Sequence, residues 1–172
     1  MNAVATAGQQ PARFEKITDA NGVHVITRDT LTGLEWSARD IGSFTNKAKN
    51  SEAAKACADL RLGGHSDWRL PTIDELESIR DRSRYSPAID TDAFPNCPSA
   101  WFWSSTPDAE SPNNYAWIVG FNYGYSNISY RLNGSRVRAV RGPARQSSAS
   151  LPSEAKIEAA GVQITVTVKV GA

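Results

Sequence analysis

Helical periodicity ends near residue 83 and does not return, and this one-way change constrains the fold more than any composition figure. Before it, Val23-His24-Val25-Ile26-Thr27 reads as a strand, Asp29 to Gly33 as a turn, and Leu34-Glu35-Trp36 as a second short strand, together a hairpin. From Asn46 to Leu60 the pattern is helical. Ala53, Cys57 and Leu60 share a face, four alanines favour helix, and Gly63-Gly64 is the predicted stop. Thr72 and Glu75 form a capping box, worth about 1 kcal/mol, at the start of a second helix. Asp74, Glu75 and Glu77 suit the positive end of its dipole. Leu76, Ile79 and Ile73 are its expected buried face, and it is predicted to end near Ser83, ahead of Pro87. Beyond Trp101, the stretches 101–106, 116–121 and 135–141 read as strands separated by Gly, Asn, Pro and Ser. A strand pair, two helices and a strand-rich half specify α+β and exclude a βαβ dinucleotide binder.

With 172 residues, the chain has room for one domain with tails. Hydrophobic and charged fractions of 40% and 22% exclude wholesale disorder. The net charge of +1 argues against a non-specific nucleic-acid or membrane-surface binder, and no apolar run reaches the ~18–20 residues of a membrane span. Two His and two Cys cannot build a three-His metal centre, a four-Cys zinc site or a multi-disulfide scaffold, so neither metal nor cofactor is expected. Residues 1–12 read as a disordered tail without the charged and apolar regions of a secretory signal, and 13–142 as the domain. Residues 143–155, rich in Ser, Ala and Pro, read as a linker, and 156–172 as a C-terminal docking strand outside the domain. Within it, 162–170 alternates strictly between β-branched apolar and polar residues. A lone strand must join a sheet, either that of another subunit or its own domain's beside Val23–Thr27.

Several motifs then occur in order: Thr32-Gly33-Leu34-Glu35-Trp36, the helix with Cys57, Gly63-Gly64-His65-Ser66-Asp67-Trp68-Arg69-Leu70-Pro71, Glu75-Leu76, Trp103-Ser104-Ser105-Thr106, Ala116-Trp117, Phe121, and Val137-Arg138-Ala139-Val140-Arg141. Over about 13–142 this series resembles the Lcl C-terminal domain family. The resemblance implies a C-type-lectin-like fold, related to the formylglycine-generating-enzyme fold, with two helices and a twisted antiparallel sheet. It further implies a binding module of bacterial surface proteins and phage particles, including variable target proteins of diversity-generating retroelements. By the same resemblance, secreted relatives bridge the helix cysteine to a cysteine between the two Val-Arg pairs. Here that position is Ala139. Two reduced buried thiols are expected for a cytosol-made protein, with a Cys57–Cys97 bridge as the alternative.

Residues 112–136 hold four of the five Tyr amid Asn, Ser and Gly. Tyr offers rigid amphipathic area for few torsions, while Ser, Asn and Gly adapt their hydrogen bonds. The candidate ligand-binding residues are Asn113, Asn114, Tyr115, Asn122, Tyr123, Tyr125, Ser126, Asn127, Ser129, Tyr130 and Asn133. The retroelement mechanism, which the resemblance brings in, alters adenines in codons such as those of Asn. The competing reading is that Asn, Gly and Ser are turn formers and Tyr fills strands. Trp36, Trp68 and Trp103 are expected in the core with their N–H groups satisfied internally, and Arg69 in an ion pair with a nearby acid. Arg136, Arg138 and Arg141 read as salt-bridged or solvated strand charges, with a basic stripe for an anionic glycan as the alternative. His24 and His65 are expected to be structural, and Ser104-Ser105 lacks a nucleophile elbow. Ser111-Pro112-Asn113-Asn114 lacks the acid of a calcium-lectin motif, although Asp108 and Glu110 are near.

The expectation is a non-enzymatic receptor-recognition module of a phage virion or tail, binding a host-surface protein or glycan. Its partners would be that receptor and other virion subunits reached through residues 162–170, in a homo-oligomer without nucleic-acid binding or membrane insertion. A bacterial cell-surface location follows instead if a leader was removed. The rival is a structural decoration or tail-assembly protein with a merely solvated polar face.

Overall fold

A computed structural model describes residues 12–142, together with the backbone of 154–159 and 162–167. The elements run β1 (Phe14–Thr18), β2 (His24–Asp29), β3 (Glu35–Ser37), β4 (Gly42–Phe44), α1 (Glu52–Asp59), α2 (Ile73–Ser78), β5 (Trp101–Pro107), β6 (Tyr115–Gly120), β7 (Tyr125–Tyr130), β8 (Ser135–Val137), β9 (Val140–Arg141), β10 (Glu154–Ala159) and β11 (Val162–Thr167). The class is α+β, with two mostly antiparallel sheets in the body. One has the order β1-β2-β3-β9 and the other β4-β8-β5-β6-β7. Among the described residues no helix is long and apolar enough to cross a membrane.

The stretch 135–141 was expected to be one strand, but it divides between the sheets. Val137 pairs with Gly42 in the larger sheet, whereas Val140 pairs with Trp36 in the smaller. Arg138 lies at this crossing, fully buried, and donates from Nη1 to the carbonyls of Ser37 and Ala38 at 2.6 Å each. Its guanidinium lies over the Phe94 ring at 4.8 Å. Such contacts hold a buried cation that forms no ion pair among the described residues.

The first helix is shorter than the expected 46–60. Ser51 caps it by accepting from the Ala54 backbone amide at 3.0 Å, while the Asn46 side chain donates from Nδ2 to the Ser104 carbonyl at 2.9 Å. Residues before Ser51 therefore tie α1 to β5 rather than extend it. Leu60 leaves the helix in extended conformation, so Gly63-Gly64 turns the chain between Leu62 and His65 instead of stopping the helix. The capping box of α2 forms as expected, but the helix ends at Ser78 rather than Ser83, because Arg80 enters a bridge with Ile89.

Two core clusters flank the larger sheet. Leu76, Ile79, Phe94, Phe102, Val119 and Phe121 belong to one, and Ala53, Cys57, Trp68, Trp103, Ile118 and Ala139 to the other. Phe102 and Trp103, adjacent on β5, thus point into opposite halves, as strand alternation requires. Trp36, Trp68 and Trp103 are all core. The indoles of Trp103 and Trp68 donate to the Phe44 and Leu62 carbonyls at 2.9 and 3.3 Å. The expected internal partner fails for Trp36, whose buried Nε1 finds no acceptor among the described residues. Cys57 and Cys97 are free and buried.

The C-terminal strand is not alone. Its residues 162–167 pair antiparallel with Glu154–Ala159, so a strand occupies part of the expected linker. Ile157 pairs with Ile164 and Ala159 with Val162 in the backbone register. The alternative of pairing beside Val23–Thr27 is overturned, since β2 is flanked on both sides by β1 and β3. Residues 1–11, 143–153, 160–161 and 168–172 of the expected tail, linker and strand lie outside the described residues.

Arg69 and Glu75 bind the two halves of the fold. Arg69 donates from both terminal nitrogens to the fully buried Glu75 carboxylate at 2.7 Å, and its backbone exchanges two hydrogen bonds with Val140. Removing one member of such a pair strands the other. Glu75→Ala is expected to cost about 3–5 kcal/mol in urea unfolding, and the Arg69→Ala/Glu75→Ala double variant less than the sum of the two single costs. Additive costs would contradict this coupling.

Candidate functional site

The sequence of β7, Tyr-Ser-Asn-Ile-Ser-Tyr, lacks apolar alternation because the strand lies at the sheet edge, with β6 as its one neighbour among the described residues. It was expected as part of a loop-rich window, and the register now gives each of its residues a face. Tyr115 pairs with Tyr130, Trp117 with Ile128, Ile118 with Asn127, and Gly120 with Tyr125. Because side chains alternate, Tyr115, Trp117, Ile128, Tyr130 and Ser126 share one face with core residue Val119. Tyr125, Asn127 and Ser129 share the other with core residues Ala116 and Ile118.

The eleven candidate residues therefore surround an edge rather than cover one surface. Tyr115 and Tyr130 form a ring pair with centroids 5.6 Å apart at one end of β7. Asn113, Asn114 and Asn133 gather there. The Asn114 carbonyl accepts from the Arg131 amide at 2.8 Å, and the Asn133 side chain donates to Ser129 Oγ at 3.2 Å. Asn122 and Tyr123 lie in the turn at the far end, where Tyr123 stacks on Tyr125 at 6.0 Å and Tyr125 meets Trp101 edge-on at 5.1 Å. Gly120 makes that cluster fit, because a Cβ there would come within 2.7 Å of the Trp101 ring.

The four tyrosines range in exposure from 37% at Tyr115 to 59% at Tyr123. No hydrogen bond among the described residues engages their hydroxyls. Trp101, Trp117, Ile128 and Leu132 adjoin them and were not among the sequence candidates. Period-two spacing from Tyr130 would have found Ile128, had the segment been read as a strand.

Two further residues missed in the sequence, Glu77 and Arg80, hold this edge from α2 and the turn after it. Glu77 accepts from Ser126 Oγ, and Arg80 donates to the Gly124 carbonyl at 2.5 Å. Glu77 and Arg80 also pair with each other at 2.5 Å. At the opposite edge of β7, Asn127 Oδ1 accepts from the Ile128 amide at 2.8 Å. That bond occupies a backbone donor of an edge strand.

The arginines do not form a basic stripe. Arg136 pairs with Asp40 at 2.6 Å, Arg141 with Glu35 and with Asp67 at 2.8 Å, and Arg138 is buried. Burial would raise the Glu35 carboxyl, but hydrogen bonds from Arg28 and Arg141 outweigh it and hold the group below the usual carboxylate range. The Cys57 thiol is pushed up to about 12 by burial, and that of Cys97 is also raised chiefly by burial. His24 Nε2 lies 3.0 Å from Thr27 Oγ1 and 3.1 Å from the Ile26 carbonyl, while His65 lies 3.9 Å from Glu35. Ser104 Oγ donates to the Trp117 carbonyl at 2.8 Å, inside the sheet. Among the described residues no three His, Cys, Asp or Glu gather as metal ligands.

The molecule is thus an α+β domain whose aromatic surface lies along one sheet edge. The family model for the Lcl C-terminal domain matches residues 25–141. The chain belongs to that family. No curated protein matches its sequence.

If α2 positions the edge, Glu77→Ala is expected to speed amide exchange across 125–130 by about tenfold while leaving 102–104 unchanged. Equal change in both segments would uncouple α2 from β7 as its specific support.

Proposed function

We propose that this chain is a receptor-recognition module of a phage virion, binding a host-surface protein or glycan through the tyrosines around β7. One observation carries the reading. All four Tyr of the edge are exposed in ring pairs, while Trp36, Trp68 and Trp103 are buried. Aromatic side chains left at a surface on a rigid sheet supply contact area at low entropic cost, and adjoining Asn and Ser supply adjustable hydrogen bonds. Family membership supports a binding domain. Two mostly antiparallel sheets with two short helices agree with the C-type-lectin-like fold that the sequence resemblance implies.

The reading is non-catalytic. Its support is chemical: both thiols are buried with raised pKa, and the Ser104 hydroxyl is committed within the sheet. The hairpin of β10 and β11 is the proposed attachment to other virion subunits, since a two-stranded sheet is marginal alone. A virion location follows, or a bacterial surface if the protein is exported.

Replacing Tyr123, Tyr125 and Tyr130 together with Ala is expected to weaken adsorption of particles to their host at least about tenfold while the circular dichroism spectrum is kept. Unchanged adsorption would overturn the binding reading and favour a structural virion protein.

A further inference from the structure

At the Tyr115–Tyr130 end of the edge, a cavity of about 120 Å³ is lined by Lys47, Asn113, Asn114, Tyr130, Arg131 and Leu132, with Ala48 at its wall. Arg131 is almost wholly buried and is held in place by carbonyl groups. Nε donates to Pro112 and Tyr115 at 3.0 and 3.1 Å, and Nη1 to Asn46 at 2.8 Å. These bonds fix the guanidinium but do not neutralise it, and burial pushes its pKa down. Among the described residues Nη2 has no hydrogen-bond partner, yet it is not among the nitrogens sealed from solvent. Lys47 forms no ion pair among the described residues, and its charge acts on Glu52 from beyond ion-pair distance. Two cations thus meet one small cavity whose lining among the described residues includes no carboxylate, whereas Arg136 and Arg141 are both paired.

The surface beside this corner has a different chemistry. Ile128 and Leu132 are exposed aliphatics, and Trp117 and Tyr130 lie next to them. Exposed aliphatic area gains from covering by another apolar side chain, and a hydroxyl-covered sugar gives it little. A guanidinium positioned by carbonyls, with an ammonium beside it, attracts an oxyanion.

We propose that the partner is a protein segment with an acidic side chain next to an apolar one. The carboxylate enters the Lys47–Arg131 corner, where the Asn113 and Asn114 amides line the same cavity, and the apolar residue covers Ile128 and Leu132. This narrows the receptor class and rests on the binding reading given above. Fixed charge in the corner sets the register, and the aliphatic patch contributes the buried area.

The test is selection of displayed random peptides on the immobilised 172-residue chain, followed by titration of the enriched peptides. Expected is enrichment of Asp or Glu within two positions of Leu, Ile or Phe. Affinity should fall about tenfold on Lys47→Glu and on Leu132→Ser, both exposed positions outside the core, with recovery on Lys47→Glu when the peptide acid is changed to Lys. Arg131→Lys adds a check that keeps the charge but loses the fixed fork. Peptides without acidic enrichment, or indifferent to Lys47→Glu, would overturn the proposal. So would a sulfated oligosaccharide that shifts the amide resonances of 113–114 and 131–132 while no peptide does. Failure here with Tyr-dependent adsorption intact would leave the recognition reading standing and remove only the acidic-peptide partner.

Discussion

The carboxylate of Glu75, closed off from solvent, is the interaction from which the rest of the domain can be traced. It accepts two bonds from Arg69 and one from the Thr72 amide, so one group starts α2 and fixes the loop before it. Through its backbone, Arg69 also bonds Val140, which belongs to the smaller sheet. Two residues beyond Glu75, Glu77 reaches Ser126, and Arg80 reaches the turn at Gly124. Position is therefore passed from a buried ion pair to a short helix, and from that helix to the exposed edge. Such a pair contributes less to net stability than to holding one arrangement, because the fully buried Glu75 carboxylate loses its hydration while Arg69 stays partly exposed.

Much of this scaffold was legible in the sequence. The capping box is a local rule between a side chain and a nearby amide, so Thr72 and Glu75 announce it without knowledge of the tertiary fold. The hairpin of β2 and β3, the ion pair of Arg69 and the burial of three Trp were legible for similar reasons. The break within 135–141 was not, because a Val-Arg pair stands on each side of it and its one local sign is Ala139 beside Val140, where the alternation slips by one residue. The chain changes sheets at Arg138, whose support comes from Ser37, Ala38 and Phe94, far away in sequence. Nor was the start of α1, which depends on Asn46 reaching Ser104.

The candidate site was legible in composition but not in geometry. Four Tyr among Asn and Ser marked the window, and all four are exposed. An edge strand exposed on both faces carries no apolar alternation, so β7 read as loop and its two faces as one. The charged corner has no signature in the sequence, because what sets Arg131 in place are the carbonyls of Pro112, Tyr115 and Asn46, all of them 16 or more residues away.

The central claim is a division of labour, with a buried scaffold that sets position and an edge whose side chains are free to vary. Its most direct measurement is protease resistance of two displayed libraries, scored as the fraction of folded members. One is randomised at Asn113, Tyr123, Tyr125, Asn127, Ser129 and Asn133, and the other at Trp36, Arg69, Glu75, Trp103, Val119 and Arg138. The account predicts a folded fraction at least about tenfold higher in the edge library, since surface changes cost little and core changes several kcal/mol. Equal loss of folded members in both libraries would contradict it.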